Sequence, residues 1–298
     1  PALYNIGLDW QYTLGKSNRE VPDRRIYWLE QKNDREFGFM QEKGQLSNVR
    51  EFQDMENVTH DVSADLSKEI NFLQKTNLDA GGKFVKKSRE SDIRRFHYSM
   101  IGEPGDVLDS SSMENIFNED NIEPNNGFEI QESTRDTDSY EADQSIKAYY
   151  GMANLRINDY LGLTTGVRYE DSIIELDTVK NDAKVSDELD TDDMYPSVSG
   201  TWFVGGSDET KVRLAYSQTV NRPDFKEFAP APYTDPVSRL EVVGNPNLKK
   251  TTINSYDISF EHFFSDSENV SVSFFYKKFD KPIEKILMAN VMQKSTFV

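Results

Sequence analysis

Apolar and polar residues alternate with a period of two along most of the chain, as in strands with one greasy and one wet face. Near the start, Ile6, Leu8, Trp10, Tyr12 and Leu14 are separated by Gly7, Asp9, Gln11 and Thr13. The pattern returns over 58–66, over 78–84 with a continuation toward 98, and at Ile146, Ala148, Tyr150 and Met152. It appears again over 161–169, 198–202, 212–216, 256–264 and 270–276. No stretch of ten or more residues carries the i, i+3, i+4, i+7 spacing of an amphipathic helix. The reading is all-β and antiparallel, with about nine strands and a partial tenth after Pro282.

The connections between these strands are unequal in a regular way. Long ones are expected over about 31–56, 99–144, 178–193 and 221–251, and short ones fall between them near 72, 158, 207 and 266. Strict alternation of tight turns with long loops is the habit of a transmembrane β-barrel, where one rim is periplasmic and the other extracellular. Aromatic residues near strand ends (Tyr4, Tyr27, Trp28, Tyr160, Trp202, Phe203, Phe263, Phe264 and Phe279) suit the two membrane interfaces.

Composition narrows the choice. Hydrophobic residues are 36% of the 298, below the roughly 45–50% of a typical soluble domain. Aromatics at 12% argue against disorder, which is poor in them. No apolar run approaches the ~18 residues of a membrane helix, so any crossing is made by strands. No basic stretch followed by an apolar segment marks a signal peptide, and Pro1 has no Met before it, so the chain is expected to begin mid-protein. A net charge of -18 would repel phosphates, which excludes nucleic acid as a partner.

Candidate chemistry is sparse. The absence of cysteine removes disulfides, thiolate metal sites and Cys nucleophiles. His60, His97 and His262 do not stand at metal-binding spacing. Loop 101–143, whose only basic residue is Arg135, and the run from Asp182 to Asp193 are strongly acidic, but neither has EF-hand spacing. They are read as solvated acidic loops. No nucleophile elbow or phosphate-cradling glycine loop is present. The chain is read as not an enzyme, with no catalytic residue, metal or cofactor.

Several motifs together resemble the TonB-dependent outer-membrane receptors. The run from Arg213 through Tyr216, Ser217, Thr219, Arg222, Pro223, Phe225 and Glu227 to Pro230 is similar to that family's "R-x-x-Y-S-x-T-x-x-R-P-x-F-x-E-x-x-P". Gly244-Asn245-Pro246-Asn247-Leu248-Lys249 is similar to its "GNPxLK" turn, with Lys250 where the family has proline. A strand with Asn254, Tyr256, Asp257 and Glu261 follows, then Phe275-Tyr276-Lys277-Lys278 and Pro282-Ile283-Glu284. Pro22-Asp23-Arg24-Arg25 and Gly166-Val167-Arg168-Tyr169-Glu170 belong to the same likeness.

The resemblance implies a Gram-negative outer-membrane location and energised uptake of a scarce small-molecule solute, a carbohydrate or other organic nutrient. Its implied partners are outer-membrane lipid, a plug domain and the TonB complex. Family barrels have 22 strands around a plug. Neither plug nor TonB-contacting segment is recognisable here, so residues 1–298 resemble a middle portion of the barrel. Geometry points the same way, because nine strands cannot close with every pair antiparallel. The expectation is an open curved sheet with two unpaired edges. Arg168, Glu170, Arg213, Asp257, Glu261 and Lys277, with Lys211, are expected to face the lumen. Arg222, Pro223, Phe225, Gly244, Asn245 and Pro246 are expected to shape the extracellular rim.

Two other readings remain open at this point. One is a passive outer-membrane channel. The other is an extracellular β-sandwich, which would bury Leu8, Trp10, Val167, Leu214, Ile258 and Val272 under a second sheet; a barrel leaves them on its convex face.

Overall fold

A computed structural model describes residues 6–27, 29–33, 36–39, 48–101, 113–122, 127–235, 237–238, 240–288 and 294–298. Tyr4, Trp28 and parts of the expected loops 31–56 and 99–144 lie outside these residues. Nine long strands form one antiparallel meander, each paired with the next in chain order. They are β1 (Ile6–Ile26), β4 (Val49–Ile70), β5 (Lys75–Ile101), β7 (Tyr140–Arg156), β8 (Leu161–Lys180), β9 (Ala183–Phe203), β10 (Thr210–Asn221), β13 (Thr251–Ser265) and β14 (Glu268–Asp280). Among the described residues β1 pairs only with β4 and β14 only with β13, so the sheet is open at both edges.

The shorter elements sit in the long connections. A hairpin of β2 (Leu29–Asn33) and β3 (Glu36–Phe39) follows β1. A one-turn helix α1 (Met113–Ile116) and β6 (Gly127–Glu132) follow β5, and β6 pairs back onto its far end. Between β10 and β13 lie helix α2 (Phe225–Phe228), β11 (Tyr233–Thr234) and β12 (Glu241–Val243). These two strands join β15 (Lys285–Leu287) and β16 (Lys294–Phe297) in a separate four-stranded sheet. The partial strand expected after Pro282 is therefore β15, and it belongs to this small sheet, not to the wall.

Register fixes the two faces. On the outer face, Trp10, Ala64, Gly82, Tyr149, Tyr169 and Met194 make one continuous rung, and Leu163, Gly200, Leu214, Ile258 and Phe274 make another. The six apolar side chains that would be covered in a sandwich are all exposed, Leu8 at 62%, Trp10 at 75% and Leu214 at 59%. No second sheet lies over them among the described residues.

The height of this greasy belt matches a membrane. On β1 it runs from Ile6 to Leu14, on β8 from Leu161 to Tyr169 and on β9 from Met194 to Trp202. Nine residues at ~3.3 Å each, tilted by the ~40° of a barrel strand, rise about 23 Å, close to the ~25 Å apolar band of outer-membrane barrels.

Above the belt the polarity inverts. The outer face of β8 continues as Asp171, Ile173, Glu175 and Asp177, while the inner positions Ser172, Ile174, Leu176 and Thr178 are buried. Cross-strand pairs there bring like charges opposite each other, Asp171 with Asp192 and Glu175 with Glu188. Residues 178–193, expected as a loop, are instead strand ends closed by the two-residue turn Asn181-Asp182. Both turn residues have positive φ, 53° and 61°, the geometry of a tight hairpin that Asn and Asp tolerate. The expected loop 31–56 is likewise shortened, because β4 already begins at Val49. The apolar set Ile146, Ala148, Tyr150 and Met152 of β7 turns out to face inward; Lys147, Tyr149, Gly151 and Ala153 face out.

Candidate functional site

The inner face of the sheet is the one against which the β10–β13 connection folds. The ladder between β9 and β10 stops at Ser197–Ser217, one residue short of Pro196, whose ring offers no N–H. Freed from its neighbour, the chain turns inward at Arg222-Pro223. Asp224 then caps α2, its Oδ1 accepting from the Lys226 N–H at 3.0 Å, while Glu227 Oε2 accepts from the Asp224 N–H at 2.9 Å. The cap orients Phe225 and Phe228 onto the wall, where they bury with Ala229, Ala231 and Leu248 against Tyr140, Ala142, Ile174 and Leu176. This is the larger of the two dry clusters among the described residues, and it lies above the apolar belt.

The return of the segment is a fitted turn. An added Cβ at Gly244 would stand 2.1 Å from the Ala229 carbonyl oxygen and 2.7 Å from that of Glu227, so no larger residue fits. The Asn245 N–H donates to the Glu227 carbonyl at 2.7 Å, and Asn245 Nδ2 donates to that of Phe297 at 3.0 Å. Asn245 Oδ1 also accepts from the Asn247 N–H. Lys250, the departure from the family pattern, pairs with Asp193 on the inner face of β9 where β10 has peeled away.

Ion pairs pin the segment to the rest of the long-connection end. The side chain of Arg95, on the inner face of β5, is 9% exposed and meets Glu51 at 3.1 Å, Asp138 and the Pro232 carbonyl at 2.7 Å. Arg24 reaches the other oxygen of Glu51 at 3.3 Å, and Arg135 reaches Glu241 at 2.8 Å. Asp235 pairs with Lys285 at 2.6 Å, which, with the N–H groups of Ser238 and Val237, holds its carboxyl well below the usual range.

Every lumen candidate lies on this inner face by register. Two of the six are brought into one cluster. Arg168 Nε donates to Glu170 at 2.6 Å, and Glu170 also pairs at 2.8 Å with Arg222, a residue expected at the rim. Arg213 donates to the Thr201 hydroxyl at 3.4 Å. Asp257, Glu261 and Lys277 stand toward the β14 edge and enter no ion pair among the described residues. Of the residues expected to shape the rim, Pro223 and Phe225 are buried and Arg222 nearly so, at the start of the 222–250 segment.

Two clefts open beneath the segment. One of about 600 Å³ is lined by Lys87 and Arg89 of β5, by Asn57 and Thr59 of β4, and by Arg222 through Phe225. A second of about 170 Å³ adds Arg19, Lys226 and Tyr233 and shares Arg89 and Asp224 with the first. Arg89 pairs with Asp224 at 3.2 Å, donates to Asn57 at 2.6 Å and lies over the Phe225 ring. The Lys226 ammonium sits 3.4 Å from the Tyr233 ring centroid, and partial desolvation together with the nearby Arg19 lowers its pKa. Sequence reading missed this basic set. Its signal was the period of β5 itself, since Lys83, Lys87 and Arg89 share the parity of inward Asp79.

The family model for the TonB dependent receptor-like β-barrel matches residues 3–292. Among solved structures, the chain is similar to the unliganded ferric citrate transporter FecA, with 9% identity and a TM-score of 0.58 over 92% of this chain and 32% of that one. It is also similar to the ferripyoverdine-bound FpvA of P. aeruginosa, with 13% identity and a TM-score of 0.57 over 99% of this chain and 34% of that one. The ferric-catecholate import receptor Fiu of E. coli K12 gives 13% identity and a TM-score of 0.56 over 98% and 40%. The chain thus spans between a third and two fifths of the length of these structures. No curated protein matched it by sequence.

Proposed function

Because the chain belongs to the TonB-dependent receptors and matches their β-barrel domain, we propose that it forms part of the wall of an outer-membrane receptor for energised uptake of a scarce solute. The observation that carries this reading is the polarity of the sheet. A belt the height of a bilayer faces outward, a charged and polar surface faces inward, and the long connections gather at one end. Outer-membrane lipid covers the belt. The inner face meets water, solute and a plug domain, and the TonB complex supplies the pull. The solute is an organic nutrient, with carbohydrates the first class to test. No residue is assigned a catalytic role.

The experiment is uptake of labelled oligosaccharides by Gram-negative cells expressing the intact receptor, with and without a functional TonB complex. Uptake that stops when TonB is deleted supports the proposal. Uptake that continues unchanged makes the protein a passive channel whose bore the 222–250 segment narrows.

A further inference from the structure

The two clefts under the 222–250 segment differ in charge from the chain around them. In a protein of net charge -18, basic side chains converge here from three directions: Arg19 from β1, Lys87 and Arg89 from β5, and Lys226 from α2. The acidic groups lining the same space are already engaged. Asp224 pairs with Arg89 and caps α2, and Glu227 closes the capping box. Arg19 and Lys87 enter no ion pair among the described residues. Arg222 spends one nitrogen on Glu170 and leaves its Nε and Nη2 buried without a partner.

With Asp224 and Glu227 engaged, the charge left over in this cleft of about 600 Å³ is positive, carried by Lys87 and by the two unsatisfied nitrogens of Arg222. Neutral polar groups also line it, among them Thr59, Gln144 and Asn221, and suit the neutral oxygens of an organic solute. The cleft lies on the inner face above the lipid belt, where a solute entering from the long-connection end arrives before the membrane-spanning bore.

We infer that the larger cleft binds the carboxylate of an acidic organic solute at Lys87 and Arg89, and that Arg19 and Lys226 in the adjoining smaller cleft, which shares Arg89, draw the rest of an acidic chain. The inference rests on the uptake reading and names its substrate class; an acidic sugar satisfies both.

The test is equilibrium binding to the intact receptor purified in detergent, with trigalacturonate as the acidic probe and maltotriose as a neutral one of the same size. Citrate and inorganic phosphate serve as further anions. Trigalacturonate is expected to bind saturably and to weaken as salt rises, while maltotriose does not bind. Lys87→Gln, which removes an exposed and unpartnered charge, is expected to weaken trigalacturonate about tenfold, the scale of one charge-assisted contact. Arg19→Gln should act in the same direction, and Lys147→Gln on the outer face should leave binding unchanged. The inference is overturned if none of the three anions binds, if maltotriose binds as well as trigalacturonate, or if Lys87→Gln and Arg19→Gln both leave anion binding unchanged. Failure of the uptake reading looks different: anions bind as described but transport does not require TonB.

Discussion

Placing a charge in the middle of the greasy belt should be far more costly than placing it one residue away. Leu214 stands on the outer face between Gly200 and Ile258, 59% exposed, with Phe274 on the same rung. Leu214→Arg puts a guanidinium among these apolar neighbours, one rung from the middle of the belt. On the lipid face of a barrel that costs roughly 2–4 kcal/mol near the midplane. At ~1.4 kcal/mol per tenfold, the folding equilibrium shifts by a factor of about 30 to 700. Ala215 points the other way, opposite Ser199 and Asp257 on the inner face. Ala215→Arg gains a carboxylate neighbour and stays in water, so its effect should remain within about 0.5 kcal/mol. The assay is urea-induced unfolding of the intact receptor folded into phospholipid vesicles, read by tryptophan fluorescence and by mobility on unheated gels. Equal costs for the two substitutions would refute the lipid-facing assignment, since two water-exposed sites would respond alike.

Three further outcomes follow from the long-connection end. Arg95→Leu removes the ion-pair partner of the buried Asp138 carboxylate, leaves Glu51 with Arg24 alone, and should destabilise the receptor by about 3–5 kcal/mol, measured as the loss of unfolding free energy. Gly244→Ala forces a methyl into the Ala229 and Glu227 carbonyls and should cost about 1–3 kcal/mol, seen as faster proteolysis within 222–250 while the barrel strands stay protected. The Asp235–Lys285 pair lowers the folded-state pKa of Asp235, so its contribution is complete above the unfolded value of about 4 and disappears as pH falls below it. Limited proteolysis near 285 should therefore rise below about pH 4, and Asp235→Asn should show that raised rate already at neutral pH.

The strands could be read wherever lipid enforces a contrast between faces. Over Ile6–Leu14 or 161–169 one face is apolar and the other polar, and the period of two marks both the strand and its facing. Higher up, water reaches the outer face of β8 and β9 and acidic residues fill it, while the inner face of β8 turns apolar at Ile174 and Leu176. The contrast weakens and then reverses, so 178–193 reads as a loop and the inward set of β7 reads as an ordinary apolar face. The site was hidden for a related reason. Phe225 and Phe228 are apolar residues in a connection, and only the Asp224 and Glu227 capping pattern hinted that they are held against a wall. That the wall presents Lys87 and Arg89 there depends on a reach from β10 back across β9, β8 and β7 to β5 that sequence spacing does not encode.

Because the chain has no cysteine of its own, single cysteines can be placed freely on either face. The most direct measurement attaches a nitroxide at Leu8, Val167, Leu214, Ile258 and Val272, and at inward Gln11, Ser199, Ala215, Ser259 and Ser273, in the receptor reconstituted in lipid. The outward five should relax with dissolved oxygen and ignore a water-soluble nickel chelate, and the inward five should do the reverse. If both sets respond to the chelate alike, the sheet does not line a bore through a membrane.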